Sequence, residues 1–199
     1  MAGSLNGLIE KPPSSVAAGA DVLSDVLRHV RLTGSLQFCF FASGVWKTDD
    51  KPSWNNMAQK SVAGKAAGAV GTIPFHILVD GQCWMKMEGR HIDLAAGDVV
   101  AFPFGTGHQL GAGSDGSATC PMITPVADLP PKPWRDMPTL HYGPGGPGVR
   151  ILCGYLQCDA MSFEPLRQAL PSLLHVRTRA DADAAWLRAA IGQIVAEFD

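Results

Sequence analysis

Two histidines carry most of the chemistry this sequence can offer. His108 closes the run GDVVAFPFGTGHQLG (97–111), which packs four glycines and one proline around it. His76 lies in PFHILVDG, an apolar stretch that ends in a turn. An imidazole so placed has three readings. It can ligate a metal, it can hydrogen-bond a bound molecule, or it can be a structural group held by a backbone carbonyl. A divalent Zn, Ni or Fe ion would need two or three further nitrogen, oxygen or sulfur donors beside His108. His76 has the clearest claim, and His141, Cys153 or a group from the 112–149 stretch would have to complete the set. For a bound organic molecule the requirement is looser, because pockets combine a few polar groups with an apolar lining. His76 itself, on an apolar strand, is either a satisfied core residue or a partner of His108. If that strand alternates, Pro74, His76 and Leu78 share one face, and that face is interior when His76 looks toward His108.

The aromatic side chains that could line such a site are Trp84 and Phe102, which could stack on an organic molecule or simply fill the core. Trp46 has the same two readings. Five cysteines stand at 39, 83, 120, 153 and 158, an odd number without a C-x-x-C pair. That pattern predicts buried thiols in a reducing cytoplasm rather than a disulfide or zinc framework. Cys153 sits in a continuous apolar run and reads as a small buried hydrophobe, with thiol redox sensing as the alternative if it is accessible.

These residues are positioned by a series of short strands. PFHILVDG, QCWMKMEG, RHIDLAAGD, VVAFPFG and HQLGAG follow one another with glycine-marked turns every eight to twelve residues, the pattern of an antiparallel sandwich or barrel. SLQFCFFASGVWK and VRILCGYLQCD read as two more strands. Residues 47–72 and 112–149 read as long loops. Residues 1–20, rich in Ser, Gly, Ala and Pro, read as a mobile tail. Val22, Leu23, Val26, Leu27 and Val30 recur at helical spacing, with Asp21 as a cap and Gly34 beyond the end. EPLRQALPSLLHV reads as a short helix broken at Pro171. Near the C-terminus Trp186, Leu187, Ala190, Ile191, Ile194, Val195 and Phe198 form one apolar stripe, capped by Asp181 or Asp183. That stripe either folds back onto its own barrel or pairs with a second copy of itself.

Composition excludes several classes. Apolar residues make up 46% of the 199, and charged residues 17%. This is a globular balance with enough chain for one substantial core. A net charge of −2 and a pI near 6.3 lack the basic footprint that gripping nucleic acid requires. No segment has the length of a membrane span, and the N-terminus lacks a secretion signal, so a soluble, cytoplasmic protein is expected.

The spacing Gly97-x5-Pro103-x-Gly105-x2-His108 resembles the second sequence motif of the cupin superfamily position for position. The first cupin motif, which supplies an H-x-H pair and a glutamate in metal-binding members, is not matched by AVGTIPFHILVDG. Two or three of the four usual ligands are therefore missing. More narrowly, DVLSDVLRHVRLTGSLQF, FHILVDGQCWM, LAAGDVVAFPFGTGHQL, VRILCGYLQCD and PLRQALPSLLHV occur in the same order as in the N-terminal cupin domains of AraC-type transcriptional regulators. Together they cover most of residues 21–198. The resemblance implies a mostly β, cupin-like antiparallel barrel (a jelly roll) over 21–180, flanked by N- and C-terminal helices. It implies a small-molecule effector held near His76, Trp84, Phe102 and His108. It also implies a homodimer made through the 181–199 helix, in particular Trp186, Leu187, Ile191, Ile194, Val195 and Phe198. DNA would be contacted only through helix-turn-helix units that this sequence does not contain. The alternative is a cupin metalloenzyme, such as a dioxygenase or isomerase, with a metal on His76 and His108.

Overall fold

The computed structural model describes residues 32–48, 70–114, 120–159, 168–178 and 184–196. The strands in chain order are β1 (Leu32–Ser43), β2 (Trp46–Thr48), β3 (Val70–Asp80), β4 (Gln82–Met87), β5 (Arg90–Ala95), β6 (Asp98–Ala101), β7 (Gln109–Ala112), β8 (Met122–Ile123), β9 (Thr139–Tyr142), β10 (Gly148–Asp159) and β11 (Leu174–Arg177). Among the described residues they are followed by the helix α1 (Ala185–Ala196). A six-stranded sheet runs β11-β6-β3-β10-β1-β9, and a five-stranded sheet runs β5-β4-β7-β2-β8. The expectation of a mostly β, barrel-like fold with a C-terminal helix holds. It needs one amendment: the sheets are mixed. β9 runs parallel to β1, and β8 parallel to β2.

The core between the sheets follows from alternation. Phe38, Phe40 and Ala42 of β1, Val149, Ile151 and Cys153 of β10, and Leu78 of β3 point inward. There they meet Cys83, Met85 and Met87 of β4 and Leu110 of β7. Their neighbours Cys39, Leu152 and Ile77 point out of the long sheet. A period of two puts alternate side chains on opposite faces. β1 keeps this order only through a bulge: its pairing with β10 shifts between Leu36 and Phe38. The extra residue lets Leu36 face outward and Phe38 inward although they are two apart.

Several expectations need correction. Gly34 lies inside β1, opposite Leu156, and does not end a helix. The preceding helical stripe, Val22 to Val30, lies outside the described residues, as do the 1–20 tail and Asp181, Asp183 and Phe198. β3 starts at Val70 and so takes the last three residues of the 47–72 stretch read as a loop, and β8 and β9 lie within 112–149. SLQFCFFASGVWK is two strands, because Gly44 turns the chain at φ +74°. LLHV does not continue a helix: Leu174–Arg177 is an edge strand paired with β6. Its β-branched Val176 and the adjacent free edge of β6 favour that outcome over a helix stub after Pro171.

α1 lies against the outer face of the long sheet. Leu187, Ile191, Ile194 and Val195 pack on Cys39, Ile77 and Leu152, and Ile191 is buried. Trp186, one position from Leu187, is 71% exposed. The stripe therefore divides. Four of its residues cover the barrel, while Trp186 faces solvent. Arg188 anchors the first turns by donating to the carbonyl of Thr178.

Candidate functional site

β3 and β10 pair antiparallel with His76 opposite Cys153, and β6 pairs with β3 with Val100 opposite His76. Alternation then aims His76 and Cys153 into the barrel, and both are buried. β6 leads into the motif loop. Gly97 starts the turn at φ +93°, with its N–H donating to Leu78 O at 2.7 Å, and Gly105 bends the loop at φ +64°. Only a residue without Cβ adopts such angles without strain. Pro103 is fully buried and sets the approach. The chain returns into β7 with His108 inward.

The result is one continuous hydrogen-bonded chain. His76 Nδ1 lies 3.0 Å from Cys153 Sγ, His76 Nε2 lies 2.7 Å from His108 Nε2, and His108 Nδ1 lies 3.1 Å from Thr106 O. The direction of every proton follows from the last link. A carbonyl can only accept, so His108 Nδ1 carries its hydrogen and donates to it. The neutral ring then accepts at Nε2, so His76 donates from Nε2. His76 in turn accepts at Nδ1, and Cys153 donates its S–H. Each member is satisfied with no net charge.

Electrostatics agree with that assignment. Burial, reinforced by neighbouring His108, holds the His76 imidazolium well out of favour, so its pKa lies well below the usual value. Burial also lowers His108 to about 4, against a smaller upward pull from the Thr106 carbonyl. The Cys153 thiol is pushed up by burial and by the neighbouring Cys39 and Cys83. Low dielectric opposes charge on all three. Cys153 is thus a poor thiolate and a good fixed donor. Phe102 seals one side of the site: its ring is stacked on His108 with centroids 3.8 Å apart and planes 7° apart, and it meets His76 edge-on at 5.7 Å.

Of the four residues expected at the site, His76, Phe102 and His108 come together. Trp84 does not. β4 turns Cys83, Met85 and Met87 inward, so Trp84 stands on the outer face of the short sheet. There it lies over Gly111 and donates to Gly113 O at 2.9 Å, with Lys86 and His91 nearby. A Cβ at Gly111 would collide with the Trp84 ring, which explains a glycine inside β7. Trp46 is buried in the core. His141 stacks on Phe41, an outward residue of β1, away from the imidazole pair. As part of the site, Cys153 was expected only as one possible completing metal donor; its bond to His76 Nδ1 is what sequence reasoning missed. Its signal is a cross-strand register, which no local pattern encodes.

The metal reading meets a poor donor set. Two imidazole nitrogens on one tetrahedral ion at about 2.0–2.1 Å would stand about 3.3 Å apart, wider than the 2.7 Å observed here. Cys153 touches the opposite nitrogen of His76, so it cannot share an ion with both Nε2 atoms. Among the described residues no group of three or more His, Cys, Asp or Glu side chains is arranged to hold a metal ion. The residues do not fit a resident ion. The described cysteines 39, 83, 120 and 153 are free thiols, Cys120 being the only one of these not buried.

The barrel of two facing sheets, the glycine-proline-histidine loop and the inward imidazole define a cupin-type domain. The cupin family profile matches residues 21–199, and the chain belongs to that family. It is also 27% identical over 126 residues to an uncharacterized HTH-type transcriptional regulator of Haemophilus influenzae. That match covers 62% of this chain and 36% of the regulator, so the chain corresponds to about a third of the relative's length. Among the described residues no helix is long and apolar enough to cross a membrane.

Proposed function

We propose that the chain is the small-molecule-sensing and dimerisation part of an AraC-type transcriptional regulator. Residues 21–180 form the sensor and 181–199 the dimerisation and linking helix. It acts in the cytoplasm as a homodimer, and DNA is read by helix-turn-helix units outside this sequence. The observation that carries the reading is a neutral, fully bonded imidazole pair placed beside an aromatic ring at the end of a cupin barrel. The likeness to a transcriptional regulator supports it.

The mechanism is a population shift. An effector that takes over one bond of the Cys153–His76–His108–Thr106 chain changes the preferred position of the 102–108 loop. That loop continues β6. At its other end β6 is tied to the C-terminal elements, because Asp98 accepts from His175 of β11 at 3.1 Å, and Gly97 O accepts from Thr178 at 2.7 Å. Arg188 of α1 holds Thr178 in turn. An effector that binds the two loop positions unequally would bias how α1 presents its exposed side, and only such a difference moves the equilibrium.

A thermal-shift screen with a broad metabolite set tests this. A hit should raise the midpoint in the wild-type protein and lose that effect in His108→Ala, with a linked change in self-association. A screen without any ligand-linked change in midpoint or association removes the sensor role. Stoichiometric metal in protein purified without chelator, lost in His108→Ala, would favour a metalloenzyme instead.

A further inference from the structure

Trp46 is 2% exposed and its indole N–H is buried. No acceptor among the described residues reaches it. By contrast, the members of the imidazole chain in the same barrel are each paired. The ring is held firmly: β2 pairs Trp46 with Ala112 of β7, and Phe40 meets the indole edge-on at 5.8 Å. Thr48, two residues on, is locked to Leu110 by bonds in both directions, Leu110 N donating at 2.8 Å. A buried donor left without an acceptor is costly and rare in folded proteins.

We infer that Trp46 Nε1 is the fixed donor of an interior binding position, and that it holds an acceptor oxygen not supplied by the polypeptide. The core cluster around Trp46 is apolar, with Phe40, Leu110, Ile123 and Val149 among its members. An anion there would lack a cationic partner and would be strongly disfavoured by desolvation. The acceptor is therefore uncharged: a carbonyl, ether or hydroxyl oxygen of a small neutral molecule, or an internal water. The position is separate from the imidazole pair and does not depend on the sensor reading.

The test keeps the shape of the ring and removes only the N–H. Trp46→3-benzothienylalanine, placed by codon suppression, is compared with wild type by thermal melting, both as purified and after unfolding, exhaustive dialysis and refolding. The isostere should melt lower by roughly 3–8 °C, because the acceptor loses its donor. A difference that survives refolding and comes with a water-to-indole NOE at the Trp46 N–H identifies water; survival without that NOE assigns the acceptor to the chain itself and overturns the inference. A difference present only before refolding identifies a co-purified molecule, whose mass native mass spectrometry should reveal. An isostere that melts at or above the wild-type midpoint in the purified protein overturns the inference, since removing an unpaired donor relieves a penalty. In parallel, the indole N–H resonance assigned by Trp46→Phe should show the downfield shift and slow exchange of a bonded donor. A shift typical of a free indole would overturn it equally. None of these results depends on the metabolite screen, so either reading can fail alone.

Discussion

The two faces of strands β1, β3 and β10 are built from neighbouring residues and do different work. Outward, Cys39, Ile77 and Leu152 make an apolar bed for Ile191 and Leu187 of α1. Inward, one residue along each strand, Phe38 packs in the core between the sheets, while His76 and Cys153 carry a directional chain of hydrogen bonds into the motif loop. The outer face is held by burial, which is insensitive to direction and tolerant of sliding. The inner face is apolar over most of its area as well, but it adds polar groups whose partners must all be present at once, since an unpaired member in low dielectric costs more than a formed bond gains. Directional specificity is thus added on one side of a sheet that is buried on both.

The largest effects should come from buried apolar residues. Leu152 is fully buried under α1, so Leu152→Ala should cost about 2–5 kcal/mol in a denaturant melt. A cost below about 1 kcal/mol would mean that α1 is not seated on the sheet in solution, and the contrast between the faces would collapse. Cys153→Ala tests the inner face. It leaves His76 Nδ1 without its donor and should cost about 1–3 kcal/mol. Cys153→Ser, which restores a donor with a smaller atom, should recover part of that. Equal destabilisation by Ala and Ser would reduce Cys153 to a packing residue.

The pH dependence comes next. His108 is held at about 4 in the fold against an ordinary 6.5. Between those values the unfolded chain binds more protons than the native one, so stability is fully present above about pH 6.5 and falls as pH drops toward 4. The loss should be roughly 2–3 kcal/mol from this group, and His108→Phe should flatten that part of the profile. An unchanged slope in the variant would place the acid sensitivity elsewhere. The smallest effect is expected at the exposed Trp186. Trp186→Ser should change monomer stability by no more than about 0.5 kcal/mol while lowering self-association in sedimentation. An unaltered association constant would remove this side chain from the proposed dimer contact.

Much of the frame was legible in the chain. Glycine-marked strands from His76 to Gly111 are called out by local turn chemistry, and Gly97, Pro103, Gly105 and His108 act within a single loop. The apolar stripe of α1 is read equally well from its period, with Leu187, Ile191 and Ile194 on one side. Trp84 shows the limit. As a large aromatic between turns it could line a pocket, yet alternation within β4 turns it outward. The short edge strands β11, beside β6, and β8, beside β2, were equally hidden, because short segments take strand form only when a sheet edge is there to pair with.

By itself, the sequence determined the period of each element, the turns between them and the inward histidine of the motif loop, because those depend on residues close together along the chain. Tertiary structure alone decided that Cys153 stands opposite His76, that Thr106 orients both imidazoles, and that the stripe of α1 splits between barrel and solvent. Those outcomes depend on register between strands 77 residues apart, as in the His76–Cys153 contact, and on which sheet edge remains open. Neither is a property of any short stretch, since register is chosen by the sum of cross-strand contacts over the whole sheet.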